Sequence, residues 1–127
     1  MNVYDHAHAL AKAIRNSSQF REFKEAAQKL KGDDTASKML NDFRQAQMEL
    51  QKKQMENQET SQEEEKIRKL SEIVNMNLTA KDYLEKEYQF AVMVEDVQKI
   101  ISEAIEEAMG SKEQGQPSPD QSDQQEP

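Results

Sequence analysis

The chain has 127 residues, 17 Lys and Arg against 25 Asp and Glu, a net charge of −8, and neither Cys nor Trp. That length fits one small domain, and the missing cysteines exclude disulfides, thiolate metal sites, iron–sulfur ligation and a cysteine nucleophile. The acid excess opposes direct binding of nucleic acid or anionic lipid, which draws on surplus Lys and Arg. No apolar run approaches the roughly 20 residues that span a bilayer. Asp5, His6 and His8 stand where a secretory leader would be basic and then apolar, so a soluble, unexported protein is expected.

Residues 1–109 contain one glycine and no proline, and all of the chain's apolar residues. Little there interrupts a helix. Val3, Ala7, Leu10 and Ile14 recur at spacings of 4, 3 and 4 and predict a first helix with one apolar face. Ser17 and Ser18 can cap a second, whose stripe is Phe20, Phe23, Ala27 and Leu30 and which Gly32 would close in a left-handed conformation. Asp33 or Asp34 would cap a third helix with the stripe Met39, Phe43, Ala46 and Leu50. Residues 51–66 carry a single apolar side chain before Lys66, Met55, yet Gln, Lys and Glu favour helix to about Asn57, so the distal turns should extend beyond the core.

Thr60 and Ser61 precede Glu63 and Glu64 at capping-box spacing and start a fourth helix with the stripe Ile67, Leu70 and Val74. Glu64 with Arg68, and Glu65 with Lys69, are expected to pair along it. Asn75, Asn77 and Thr79 mark a break near Leu78, before a last helix over about residues 80–109. Phe90, Met93, Val94, Val97, Ile100, Ile101, Ala104, Ile105 and Ala108 give it an apolar face wider than one neighbour requires. It should pack between its own helical hairpin and a second layer, either another subunit or the N-terminal helices. The fold class is therefore all-α: about five helices, a long antiparallel hairpin and a long C-terminal helix in a dimeric bundle. Residues 1–109 form the helical domain, and residues 110–127, with five glutamines, net charge −3 and no apolar side chain, read as a disordered acidic Gln/Pro-rich tail.

Candidate chemistry is sparse. His6 and His8 are two apart, so on a helix they diverge by about 200° and cannot close on one ion. Nothing resembles a phosphate loop, a nucleophile elbow or a dinucleotide fingerprint. No catalytic residue, metal site, cofactor or small-molecule ligand is expected. Glu103, Glu106 and Glu107 sit in the last turns of the final helix, where carboxylates oppose the helix dipole by roughly 0.3–1 kcal/mol each. They are either a solvated face or an acidic patch for a basic partner. Met48 and Met55 lie off the main stripe of the third helix, as hairpin packing or an adaptable contact surface.

The run Asp42-Phe43-Arg44-Gln45-Ala46-Gln47, continuing through Leu50-Gln51-Lys52-Lys53-Gln54-Met55 to Ser61-Gln62-Glu63-Glu64, resembles the YlbF/YmcA family of Firmicute regulators and its YheA-like branch. Val3-Tyr4-Asp5 with Leu10, the helix start from Ser17 to Phe23 and Tyr83-Leu84-Glu85 extend the likeness to about residues 2–109. The resemblance implies a self-associating protein of long antiparallel helices and a cytoplasmic bacterial regulator or adaptor. YlbF and YmcA act in a complex with a further protein and affect competence, sporulation, biofilm formation and RNA processing through ribonuclease Y. Some relatives carry cysteines linked to iron–sulfur clusters, which this chain cannot ligate.

The leading expectation is a non-enzymatic protein–protein interaction module acting as a homodimer. Its core and dimer seam would be Met39, Phe43, Leu50, Phe90, Val94, Val97, Ile101 and Ile105, and its partner surface Met48, Met55, Glu103, Glu106 and Glu107. The alternative is a chaperone-like or structural protein holding other chains through residues 51–66.

Overall fold

The computed structural model describes residues 1–110. Five α-helices follow one another: α1 (Val3–Arg15), α2 (Ser18–Lys31), α3 (Asp34–Met55), α4 (Ser61–Asn75) and α5 (Leu78–Met109). The described residues contain no strand, so the all-α expectation holds. The tail expected beyond Gly110 lies outside the described residues. Gly110 itself takes φ +67, a left-handed conformation suited to glycine, and ends α5.

Polar side chains set most helix starts, each supplying an acceptor to an otherwise free backbone N–H, at about 1 kcal/mol apiece. Ser17 Oγ accepts from the Phe20 N–H at 3.1 Å, Asp33 from Ala36 at 3.0 Å and Asn77 Oδ1 from Ala80 at 2.9 Å. A reciprocal capping box starts α1: Asn2 Oδ1 accepts from the Asp5 N–H, and the Asp5 carboxylate accepts from that of Asn2. The box expected at Thr60 and Ser61 is absent. Thr60 sits at φ −125, ψ 15, and its hydroxyl donates to the Glu64 carboxylate at 3.0 Å, while Ser61 turns its N–H and hydroxyl toward Glu59. A carboxylate on either side of the cap outcompetes the backbone for the hydroxyls.

Other local expectations also change. Gly32 has φ −85, not a left-handed value, because Asp33 opens α3 at once and the chain needs only a tight turn. Arg68 pairs with Glu65 at 2.6 Å and Glu72 at 2.8 Å, displacing the expected Glu64 and Lys69 pairings. Helix α3 stops at Met55, two residues early, and Asn57 takes the positive φ of 59° that reverses the chain.

The chain divides into two compact units, Met1–Phe90 and the part beginning at Ala91. In the first, α3 and α4 form the antiparallel hairpin, joined by residues 56–60. Its core lies at the open base: Ala36 and Leu40 of α3, Val74 of α4 and Ala80 of α5, all at most 3 % exposed. Two of these four are alanines, which let helices approach closely, and Leu30, Met39, Phe43, Tyr83 and Leu84 pack around them. Phe43 and Met39 therefore belong to this core, as their stripe predicted, whereas Ala36, Leu40 and Ala26 are buried one turn or one position away from the predicted stripes.

Aromatic rings join α2 to the first turns of α5. Phe23 lies 5.4 Å from Tyr83 and 5.4 Å from Phe90, centroid to centroid, and Phe20 lies 6.1 Å from Phe90. Such pairs add about 0.5–1.5 kcal/mol beyond area burial. Arg44 of α3 meets Glu87 of α5 at 2.6 Å, and Ser37 Oγ donates to the Leu30 carbonyl at 2.7 Å. Helix α1 has the predicted extent but stays at the surface. None of its residues is buried, and Val3, Tyr4 and Leu10 are exposed.

Candidate functional site

Residues 91–109 of α5 expose Val92, Ile100, Ile101, Ile105 and Met109. Their backbone is regular helix because the segment lacks glycine and proline and intersperses the β-branched residues with Ala, Met, Glu, Gln and Lys, which favour the conformation. At 3.6 residues per turn, Val94, Val97, Ile101, Ala104, Ile105 and Ala108 share one face. Val94 and Val97 are half-exposed, while Ile100 is 67 %, Ile101 46 % and Ile105 53 % exposed. Soluble domains rarely leave so continuous an aliphatic ridge in water.

Acidic side chains occupy the opposite side of the helix, since Glu103 and Glu107 are each two residues, or about 200°, from a ridge isoleucine. Glu103, Glu106 and Glu107, all exposed, border a shallow hollow with Gly110. The last turn of α5 contains no basic residue, so these carboxylates meet no cation from their own turn.

The hairpin tip has a different character. Lys53 of α3 meets Glu63 of α4 at 2.6 Å, and the Glu63 side chain is only 14 % exposed. Their hydrogen bond and opposite charges hold the Glu63 carboxyl below its usual range and raise the Lys53 ammonium above its own. The turns of α3 beyond Leu50 are thus tied to α4 by an ion pair in place of apolar packing. Met48 and Met55 are exposed on α3 and do not pack within the hairpin, and Leu50 is half-buried.

The sequence-predicted residues thus fall into three groups. Met39 and Phe43 sit in the hairpin core and Phe90 in the aromatic cluster. Val94, Val97, Ile101 and Ile105 line the distal α5 ridge, Glu103, Glu106 and Glu107 stand on the other side of that helix, and Met48 and Met55 are exposed on α3. Val3 and Leu10 of the α1 stripe are exposed, since a periodic stripe reports an apolar face and not what covers it.

Residues 3–106 match the family described as control of competence regulator ComK, YlbF/YmcA. The chain belongs to the YlbF/YmcA family. Within it, the chain is similar to a UPF0342 protein of Clostridium tetani, 42 % identical over 107 residues that cover 84 % of this chain and 92 % of that one. A UPF0342 protein of Alkalihalophilus pseudofirmus is 40 % identical over 113 residues, 88 % and 96 % of the two chains. Among solved structures, a protein of unknown function (DUF964) from Bacillus stearothermophilus superposes with a TM-score of 0.70 at 28 % identity, over 87 % of this chain and 97 % of that one. Bacillus subtilis RicA, solved in complex with RicF, shares the fold at a TM-score of 0.57 and 17 % identity, over 84 % and 96 %. No helix of this YlbF/YmcA-family chain, among the described residues, is long and apolar enough to cross a membrane.

Proposed function

We propose that this YlbF/YmcA-family protein is a non-enzymatic, cytoplasmic regulatory adaptor that works by binding proteins, first of all a second copy of itself. The observation that carries this reading is the uncovered aliphatic ridge of residues 91–109. Fully burying an isoleucine or valine side chain is worth about 1.5–3 kcal/mol, so a partner that covers Val97, Ile101 and Ile105 gains enough to hold a specific complex. The family's connection with control of competence and the fold shared with RicA, itself solved with RicF, support a regulatory role exercised through protein contacts. A chaperone-like role for residues 51–66 is less well supported, because the hairpin tip is ionic and offers little apolar surface besides Met55.

Affinity capture from native extract with the full chain and with Ile101→Glu tests the adaptor reading. One stoichiometric partner retained by the wild type and lost by the variant is the expected result. A broad set of unfolded clients held equally by both would instead indicate a holding function.

A further inference from the structure

At 100° per residue, Val94, Val97, Ile101, Ala104 and Ala108 fall within an arc of about 80° on the distal half of α5. Their spacings of 3, 4, 3 and 4 are those of a seam between two helices, in which each side chain enters a gap in the facing row. Val94 and Val97 are half-exposed and the other three exposed, so the described residues leave this seam open. Bulky side chains fill its first three positions and alanines its last two.

Charge is distributed around it. Residues 91–109 hold five acids, Glu95, Asp96, Glu103, Glu106 and Glu107, against Lys99 alone. All five project at least about 100° away from the middle of the seam, so a facing helix meets no carboxylate there. Three of them lie in the last two turns.

A row that is bulky at one end and small at the other complements itself when turned round. We propose that residues 94–108 pair antiparallel with the same residues of a second copy, in the register that sets Val94 opposite Ala104 and Val97 opposite Ile101. Across the two-fold axis Ile100, which adjoins the seam and is 67 % exposed, meets Ile100 of the second copy. Each Val94 then fills the space that an alanine leaves. A parallel pair would face alanine with alanine over its last turns, leaving a gap, and would bring both sets of Glu103, Glu106 and Glu107 together. The antiparallel register keeps the two Glu107 side chains about 24 Å apart along the helices, well over the Debye length of roughly 8 Å at physiological salt. The proposal rests on the self-association reading and specifies its seam.

The chain has no cysteine, so introduced ones report position without background. Full-length Val94→Cys and Ala104→Cys chains, mixed and oxidised, should give a disulfide-linked dimer containing one of each, because facing positions bring Cα atoms within the roughly 7 Å that a disulfide spans. Either variant alone should give no cross-link, since like positions lie about 15 Å apart along the pair. Sedimentation equilibrium follows association of the wild type and both variants. Self-linked dimers of each variant with no mixed product would reveal a parallel pair and overturn the proposal. Association without any cross-link overturns this seam and leaves self-association standing. A wild type that is monomeric at all concentrations overturns self-association itself.

Discussion

Helix α5 has two halves of similar apolar content and opposite use. Over residues 78–90 Leu78 and Tyr88 are exposed, but the other apolar side chains have partners in the same unit: Ala80 lies in the core with Leu40 and Val74, Leu84 packs against that core, Tyr83 lies near Phe23, and Phe90 meets both Phe20 and Phe23. Over residues 91–109 none is buried, and the isoleucines are half-exposed or more. Amphipathic periodicity is the same in both halves, so the pattern records a face made for burial without saying which surface buries it. The first half packs within the hairpin unit, and the second leaves its apolar side chains at least partly exposed.

That contrast can be broken first at the hairpin base. Leu40→Ala empties a fully packed position and should cost about 2–5 kcal/mol, seen by circular dichroism as a fall in melting temperature on the order of 10 °C or more. Phe23→Ala removes the ring that contacts both Tyr83 and Phe90, and because Phe23 is only half-buried the loss should be nearer about 2 kcal/mol in urea denaturation.

A smaller, pH-dependent effect belongs to the hairpin tip. Glu63 titrates below its ordinary 4.5 in the folded protein because Lys53 bonds its ionised form, so its stabilisation is complete above that value. It disappears as pH falls through the depressed one. Melting temperatures of the wild type and Glu63→Gln should therefore differ at neutral pH and converge in acid. A difference that persists in acid would show that the ion pair is not its source.

The smallest effect on the fold should come from the distal ridge. Ile101→Glu, measured at concentrations low enough to keep the chain monomeric, should cost less than about 1 kcal/mol, because about half of the side chain is already in solvent. At higher concentration the same substitution should abolish association, since a charge in an apolar seam costs several kcal/mol.

Much of this architecture was legible in the residues. The positions of five helices follow from apolar spacing, the Ser17, Asp33 and Asn77 caps, and the near absence of glycine and proline. What escaped was decided by competition between neighbouring groups. Thr60 was read as a cap, but Glu64 takes its hydroxyl; Arg68 chooses Glu65 and Glu72 among several nearby acids; and Gly32 is not required to turn left-handed because α3 begins beside it. The stripe of α1 was legible as a pattern and misleading as a core, because no element of its own unit buries it. The candidate site was only half legible. Val97, Ile101 and Ile105 stand out by periodicity, but their exposure depends on where the other helices end.

The central claim is that residues 91–109 are a protein-binding face covered by a second copy. Hydrogen–deuterium exchange across a concentration series tests it most directly. The expected result is exchange over residues 91–109 that slows as concentration rises, while the hairpin base around Leu40 and Val74 stays equally protected throughout. Exchange in the distal half of α5 that is rapid and independent of concentration would contradict it.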